Sequence, residues 1–267
     1  MIPSINNISF CALHKKNEEW KNHTTLNHTT LFYRYTLFGD DSDEFLIKEF
    51  AKNKNKKLNI ISAGCSYGEE AYSWAMMCDS YGIKAKITGI DCSKVAIKGA
   101  KKGHYKLDTT EIDYLTLYHP NAGDYQKRAQ EEFAKNFKWN RTEQPIYDKK
   151  KMHLLNCDFK QEDVSNIGDL FEKNSQDLIL CRYVLYHIEN ETQLDKTVKG
   201  FYNVLKPNGI LCLNKHEYKD YENRLQYYGF IQPYEKYPWI FKKINTPTMN
   251  SYYYELAKYE SKKWYQR

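Results

Sequence analysis

Residues 60–77 read IISAGCSYGEEAYSWAMM, an apolar run followed by a turn of small residues and an acidic helix start. The run Leu58–Ala63 is typical of a buried strand, and Glu69 and Glu70 suit the positive end of a helix. Gly64 allows close backbone approach at the turn, and the helix start offers unpaired N–H groups. Two interpretations stay open: a turn that needs only glycine, or a ligand held against the backbone.

The turn does not fit a phosphate ligand. Residues 64–69 read GCSYGE, so the third glycine of G-x-G-x-x-G is missing. Glu69 and Glu70 would repel a pyrophosphate, whereas carboxylates attract a ligand that carries an ammonium group. The competing interpretation is that both carboxylates complement the helix dipole, an effect of about 0.3–1 kcal/mol.

The next two strand ends complete this hypothesis. Asp91 closes the predicted strand Lys86–Ile90, where a carboxylate can bind both hydroxyls of a ribose; alternatively it caps the following helix together with Ser93. Asn156 and Cys157 follow a predicted third strand, where an adenine edge would lie. An amine and a ribose without phosphate describe S-adenosylmethionine.

Strand and helix patterns alternate along most of the chain, which predicts an α/β fold with a parallel sheet covered by helices on both faces. The predicted strands are Leu58–Ala63, Lys86–Ile90, Met152–Leu155, Asp177–Cys181 and Ile210–Leu213. The predicted helices are His14–Lys21, Ser42–Phe50, Ser93–Lys102, Ile167–Glu172, Glu191–Leu205, Lys219–Tyr228 and the tail Ser251–Trp264. A turn is predicted at Lys206–Gly209, and Phe230–Tyr234 and Trp239–Ile244 are predicted to pair antiparallel at the sheet edge. Residues 105–150 form a connection longer than a crossover needs, which indicates an insertion with its own structure.

Composition narrows the class of protein. The 267 residues carry a net charge of +6, spread along the chain, so nucleic acid is not a favoured partner. Seven cysteines without a CxxC pair are typical of reduced core residues in a cytoplasmic protein, and no metal site is expected. No run approaches the ~20 apolar residues of a membrane span, and the N-terminus does not read as a signal peptide.

Six segments, in the right order, resemble the chemotaxis-receptor glutamate methyltransferases, the CheR family. Residues 64–73 match its signature AGCSxGEExYS. The other five segments are HTTLFYR (28–34), GIDCSKVAIKGAKKGHY (89–105), LNC (155–157), DLILCRYVLYHI (177–188) and KPNGILCLNKHE (206–217). The resemblance spans about residues 24–217 and implies a Rossmann-like, doubly wound sheet of seven strands with an antiparallel edge.

The resemblance also implies roles for individual residues. The implied cofactor is S-adenosylmethionine, with S-adenosylhomocysteine as product. The resemblance matches these residues to the cofactor: His28, Thr30, Arg34, Ala63, Gly64, Glu70, Asp91, Asn156, Cys157, Arg182 and Tyr183. Arg34 would also orient an acceptor carboxylate, since a guanidinium binds a carboxylate with two hydrogen bonds. Tyr186 and His187 lie where the family has its tyrosine. They are the other two catalytic candidates beside Arg34. Residues 1–57 would form a helical or extended segment over the cofactor site, and 58–267 the methyltransferase domain.

The sequence departs from the family at several of these positions. His28 and Tyr183 stand where the family has asparagine, and Cys157 replaces leucine. Tyr186 and His187 lie across the family's Ile-Tyr, so either the tyrosine has moved by one place or His187 takes its role. Only about two dozen residues precede His28, where the family has a helical domain that helps to recognise receptors.

Three functions are therefore weighed. The favoured one is O-methylation of a protein glutamate, with the cytoplasmic domain of a chemoreceptor as the expected partner. The second is methylation of a small molecule or another protein group, for which His187 or Tyr186 would act as base. The third is a regulatory module that binds S-adenosylmethionine without catalysis. A DNA N-methyltransferase is disfavoured because no Asp/Asn-Pro-Pro-Tyr/Phe segment occurs.

Overall fold

The computed structural model describes residues 31–37, 39–53, 55–107, 109–117, 120–141, 145–149 and 156–244. The helices are α1 (Arg34–Leu37), α2 (Ser42–Ala51), α3 (Glu69–Ser80), α4 (Lys94–Lys102), α5 (Thr109–Thr116), α6 (Asp124–Asn136), α7 (Ile167–Leu170), α8 (Glu191–Val204) and α9 (Tyr218–Tyr227). The strands are β1 (Leu58–Ala63), β2 (Ala85–Asp91), β3 (His104–Lys106), β4 (Phe137–Arg141), β5 (Pro145–Lys149), β6 (Cys157–Gln161), β7 (Gln176–Cys181), β8 (Leu205–Cys212), β9 (Phe230–Ile231) and β10 (Ile240–Lys243).

Seven of these strands belong to the main sheet, and the described residues divide into two compact units, 31–161 and 162–244. In the first unit the strand order is β6-β2-β1, with parallel pairing throughout. Leu58 pairs with Ala85 and Ala63 with Ile90, so β1 and β2 end at the same level. Five of the six β1 residues are buried, as expected of an apolar strand inside a parallel sheet.

Helix α3 is buried almost all round. Its residues 71–78 are all buried, including Trp74 at 2% exposure. The helix packs against β1, β2 and β6 and also against α6, which explains why so little of it meets water. The glycine turn of residues 64–68 therefore connects two rigid, buried elements.

The insertion forms a small sheet of its own. Strands β3, β5 and β4 pair antiparallel in that order, and α5 and α6 lie between β3 and β4 in the chain. Phe32, which precedes α1, contacts the rings of Tyr105, Phe133 and Phe137 at centroid distances of 4.9, 5.3 and 5.2 Å. Aromatic packing of this kind adds to the free energy of area burial. The insertion thus anchors the segment that leads into Arg34.

In the second unit the strand order is β7-β8-β10-β9. Strand β7 is buried at all six positions and pairs parallel with β8. Strand β10 pairs antiparallel with both β8 and β9, which confirms the predicted antiparallel edge. Among the described residues no helix has the length and apolar character that crossing a membrane requires.

One predicted boundary is wrong. The predicted turn Lys206–Gly209 lies inside β8, which begins at Leu205. Pairing with β7 jumps there from Leu205 to Ile210, and Asn208 adopts a φ of +64°. The turn residues therefore bulge out of a strand that continues on both sides, because the apolar residues before and after them are both buried against β7.

The Rossmann-like, mostly parallel sheet of seven strands is confirmed. Helices α2, α4, α8 and α9 lie within about one residue of their predicted ranges, whereas α7 ends two residues early. The predicted segments His14–Lys21, Met152–Leu155 and Ser251–Trp264 lie outside the described residues. All six described cysteines are free thiols.

Candidate functional site

The turn after β1 is closed by backbone hydrogen bonds to the end of β2. The N–H groups of Gly64 and Cys65 both donate to the carbonyl oxygen of Ile90, at 2.8 and 2.9 Å. Gly64 and Gly68 have φ values of +71° and +93°, a region that favours glycine. The turn is therefore held against the carboxyl end of β2.

Asp91 links this turn to the start of α4. Its Oδ2 accepts a hydrogen bond from the N–H of Ser66 at 2.9 Å, and its Oδ1 accepts one from the N–H of Ser93 at 2.8 Å. The residue is only 5% exposed. The alternative weighed from the sequence, a capping role, is thus part of what Asp91 does, but its second oxygen faces the glycine turn.

The acidic pair at the start of α3 is also structured. Glu70 Oε1 accepts a hydrogen bond of 2.6 Å from the hydroxyl of Ser62, a buried residue of β1. Glu69 is buried at 4% exposure. Neither carboxylate is therefore a freely solvated helix-dipole partner, although Glu70 itself is half-buried.

These carboxylates create a negative potential at the turn. Burial raises the pKa of the Cys65 thiol well above its ordinary value, and the charges of Asp91, Glu69 and Glu70 raise it further. Burial also raises the pKa of Tyr67, again with contributions from Glu69 and Asp91. Such a field opposes anions and favours a ligand with positive charge.

Arg34 lies near the same turn of α3. The N–H of Tyr33 donates to the Ser73 hydroxyl at 3.0 Å, and that hydroxyl donates to the carbonyl of Glu69 at 2.7 Å. The N–H of Phe32 donates to Glu111 Oε1, a buried carboxylate of α5, at 2.8 Å. Two side-chain acceptors therefore fix the backbone just before Arg34, which is half-buried.

The placement expected for Asn156 and Cys157 is wrong. They precede and begin β6 instead of following a strand, and Cys157 pairs with Ile87 in the middle of β2. Parallel strands rise about 3.3 Å per residue, so Cys157 lies roughly 13 Å along the strand from the level of Asp91. Asn156 instead lines a cavity of about 460 Å³ at the amino ends of the strands, together with Lys57, Ala75, Cys78, Asp79, Gly82, Ile83, Lys84 and Ala85.

Gln161 occupies the place that Asn156 was expected to fill. It ends β6 directly opposite Asp91, and its Nε2 donates to the carbonyl of Cys92 at 3.3 Å. The sequence did carry a signal for this: in residues 157–161, CDFKQ, the apolar Cys157 and Phe159 alternate with polar residues, which is typical of an edge strand.

A second group of candidates follows β7, in the second unit. Arg182 is 7% exposed and its Nη2 lies 3.4 Å from Cys212 Sγ. Tyr183 has a φ of +58°, and its N–H donates to Glu217 Oε1 at 2.7 Å. Tyr186 is 54% exposed, and its ring lies 3.8 Å from that of His187. The exposed Tyr186 and half-buried His187 both lie in the short 3-10 turn Leu185–His187.

Glu217 is the last residue of the segment KPNGILCLNKHE, and the sequence alone predicts no role for it. It is 5% exposed, and Oε1 accepts a second hydrogen bond from the N–H of Asn214 at 3.3 Å. Oε2 is buried and has no hydrogen-bond partner among the described residues. Burial raises the pKa of Glu217 to about 7, against the lowering effect of the two backbone N–H groups. Asp220 raises the pKa further and Arg182 lowers it.

Of the remaining candidates, Ala63 ends β1 and is buried directly before the glycine turn. His28 and Thr30 lie outside the described residues. The first unit thus brings Ala63, Gly64, Glu70, Asp91 and the segment of Arg34 to one end of the sheet. The second unit groups Arg182, Tyr183, Tyr186 and His187 after β7.

The fold and the acidic glycine turn define the S-adenosylmethionine-binding class of Rossmann-like proteins. Residues 27–228 match the family model for the CheR methyltransferase SAM-binding domain. The chain belongs to the CheR methyltransferase family, and its cofactor is S-adenosylmethionine.

Several curated relatives carry the name chemotaxis protein methyltransferase. One from Campylobacter jejuni subsp. jejuni (strain 81-176) is 29% identical over 61% of this chain and 55% of its own length. Another from Borreliella burgdorferi is 28% identical over 72% of this chain and 64% of its own length. The chain thus spans between half and two thirds of the length of these relatives.

Solved structures are more distant. Phosphoethanolamine N-methyltransferase 2 of Haemonchus contortus, in complex with phosphomonomethylethanolamine and S-adenosylhomocysteine, has a TM-score of 0.43 at 17% identity, covering 84% of this chain and 45% of that one. An S-adenosylmethionine-dependent methyltransferase from Methanosarcina mazei has a TM-score of 0.35 at 16% identity, covering 72% and 76%.

Proposed function

We propose that this protein transfers the methyl group of S-adenosylmethionine to a glutamate carboxylate of a protein. The observation that carries the proposal is the placement of Asp91, a buried carboxylate that binds the N–H of Ser66 within the turn after β1. Family membership supports the same reaction class. The bound cofactor would supply a methyl group on a sulfonium, the reactive part of the chemistry.

The residues of the first unit fit this cofactor. A carboxylate oxygen can accept more than one hydrogen bond, so Asp91 can take the ribose hydroxyls while it keeps its backbone contacts. Glu70, fixed by Ser62, would receive the ammonium group of the methionine moiety. Gly64 leaves room for close approach at the turn. Gln161, level with Asp91 at the end of β6, replaces Asn156 as the candidate for the adenine edge.

Arg34 is proposed to orient the acceptor. A glutamate side chain, with a reference pKa of about 4.3, is already ionised at neutral pH and needs no base. Catalysis then consists mainly of alignment, which can lower a barrier by about 7–11 kcal/mol. The hydrogen bonds of the Phe32 and Tyr33 N–H groups would hold Arg34 for this purpose.

A second candidate function rests on the 3-10 turn after β7. The rings of His187 and Tyr186 lie 3.8 Å apart at a tilt of 35°, so an imidazole lies beside an exposed phenol. This pair would serve an acceptor that must lose a proton, such as a hydroxyl or an amine. A chemoreceptor partner belongs to the first function only, whereas a cytoplasmic location is proposed for both.

The cofactor premise is tested by calorimetry with S-adenosylmethionine. Asp91→Ala is expected to weaken binding about tenfold to a hundredfold, as loss of a hydrogen bond to a charged group does. Asp158→Ala is the matched control, because Asp158 is exposed on the neighbouring strand β6. Wild-type protein that does not bind S-adenosylmethionine would refute the proposal.

The acceptor is tested by transfer of labelled methyl groups to a chemoreceptor cytoplasmic domain. The proposal expects a base-labile methyl ester, and Arg34→Ala is expected to abolish its formation. A base-stable product would favour the second function. Cofactor binding without transfer to any acceptor in a cell extract would indicate a regulatory module.

A further inference from the structure

The loops that follow β7 and β8 share a single buried carboxylate. Glu217 Oε1 accepts hydrogen bonds from the N–H of Tyr183, after β7, and from the N–H of Asn214, after β8. Glu217 stands at the N-cap position of α9, yet its side chain does not cap that helix. An N-cap side chain ordinarily accepts a hydrogen bond from its own helix. Here the carboxylate turns to the two loops instead.

We propose that Glu217 is a positioning residue, whose ionised carboxylate fixes the loop after β7 and thereby presents Tyr186 and His187 to the methyl acceptor. The inference rests on the proposed methyl transfer, because the family resemblance makes Tyr186 and His187 candidate catalytic residues. In this role Glu217 holds the loop after β7 through the backbone N–H of Tyr183 and does not contact the substrate itself.

The backbone at Tyr183 needs such support. Its φ of +58° is a left-handed conformation, which is unfavourable for a residue other than glycine. A hydrogen bond to an ionised acceptor is about twice as strong as a neutral one. The short contact of 2.7 Å from the Tyr183 N–H to Glu217 therefore compensates for the strain. His187 lies four residues further on, and its own N–H donates to the carbonyl of Val184 at 3.1 Å.

Charged and titratable groups around Glu217 place its ionisation near neutral pH. Burial disfavours the anion most strongly, and the carboxylate of Asp220 on α9 disfavours it further, while Arg182 at the end of β7 favours it. The buried phenol of Tyr221, also on α9, has a raised pKa, from burial first and from Glu217 second. Since Oε1 already accepts two N–H groups, the proton of the neutral form belongs on Oε2. Protonation weakens Oε1 as an acceptor and loosens the loop, so the reaction is expected to be faster above this pKa.

The contact itself is tested without any substrate. In protein labelled with ¹⁵N-tyrosine, the Tyr183 amide signal, identified by its loss in Tyr183→Phe, is expected to shift with pH through an inflection near 7. Glu217→Gln keeps an acceptor oxygen and removes the ionisation, so the inflection should disappear. Asp220→Asn is the matched control, and should move the inflection to lower pH without abolishing it. A Tyr183 amide that does not titrate in the wild type overturns the proposal.

The consequence for catalysis is tested by the pH profile of methyl transfer. Wild type is expected to lose rate as the pH falls through about 7, the pKa of Glu217. Glu217→Gln should be active with that inflection removed, and Glu217→Ala should lose kcat at all pH values. A wild-type profile in Glu217→Gln overturns the proposal. If the Tyr183 amide titrates but no acceptor is methylated, the proposed function fails and Glu217 has only a structural role.

Discussion

Three buried carboxylates each fix the backbone beside a candidate site residue. Asp91 accepts N–H groups from Ser66 and Ser93, Glu111 accepts the N–H of Phe32, and Glu217 accepts the N–H of Tyr183. Each is at most 5% exposed. A buried polar group without a partner costs free energy, so carboxylate and N–H group stabilise each other. In each unit, a loop that carries candidate residues is thus ordered by an acid distant in sequence.

Glu111 gives a prediction at this scale. Glu111→Ala leaves the buried N–H of Phe32 without its acceptor, so the free energy of unfolding is expected to fall by about 1–3 kcal/mol. Methyl transfer should fall too, because Arg34 follows Phe32 by two residues. Urea unfolding measures the stability. Glu111→Gln is the matched control, since its amide oxygen still accepts, and equal stability of wild type and Glu111→Ala would contradict the prediction.

At the scale of elements, the helices after β1 and β2 begin differently. Helix α4 is capped by Ser93, whose hydroxyl accepts a hydrogen bond from the N–H of Ala96 at 3.2 Å. Helix α3 starts after Gly68, whose φ is +93° and which has no side chain to cap with. A Cβ at Gly68 would lie 2.9 Å from the ring of Phe159. Glycine is therefore required there by both conformation and packing.

The cap of α4 supplies a prediction that separates stability from cofactor binding. Ser93→Ala is expected to lower the free energy of unfolding by about 1 kcal/mol, as loss of an N-cap does. Ser93→Asn should restore most of it. Because Asp91 contacts the backbone N–H of Ser93 rather than its hydroxyl, affinity for S-adenosylmethionine should not change. A large loss of affinity in calorimetry would contradict this assignment.

For the whole molecule, Glu217 makes stability depend on pH. The pKa of a glutamate is 4.5 by reference and about 7 for Glu217 in the folded protein. Between these values the folded state binds more protons than the unfolded state, so stability decreases as the pH rises through this range. The loss is about 3 kcal/mol in total and is complete above pH 7.

The measurement compares wild type with Glu217→Gln by urea unfolding from pH 4.5 to 8. Titrating groups that do not interact with Glu217 contribute equally to both proteins, so the difference between the two curves reports on Glu217 and its charged neighbours. The free energy of unfolding of the variant is expected to increase relative to that of the wild type as the pH rises. At pH 8 the variant should be the more stable protein. A difference that does not vary with pH would show that the pKa of Glu217 is the same in the folded and unfolded states. Ionisation of Glu217 thus lowers the free energy of unfolding, although the ionised carboxylate orders the loop.

Much of the fold follows from local pattern. Strands β1, β2 and β7 are rich in apolar residues, and Ser93 marks the start of α4 as its N-cap, so hydrophobic pattern and capping locate them. Strand β6 was misplaced because its alternating residues 157–161 are a weak signal beside the apolar residues that precede them. The position of a strand determines which residues reach its carboxyl end. With the third strand placed too early in the sequence, Asn156 and Cys157 were expected at the carboxyl end, whereas they lie at the start of β6.

The sequence by itself determined the alternating fold, the glycine turn, and Asp91 at the end of the second strand, because each depends on residues close together in the chain. Only the tertiary structure decided that Gln161 lies level with Asp91, that Glu111 holds the segment before Arg34, and that Glu217 binds Tyr183. Those contacts join residues between 34 and 79 positions apart or come from strand register. Local pattern carries no information about such pairings, which arise when packed elements bring distant backbone N–H groups to buried carboxylates.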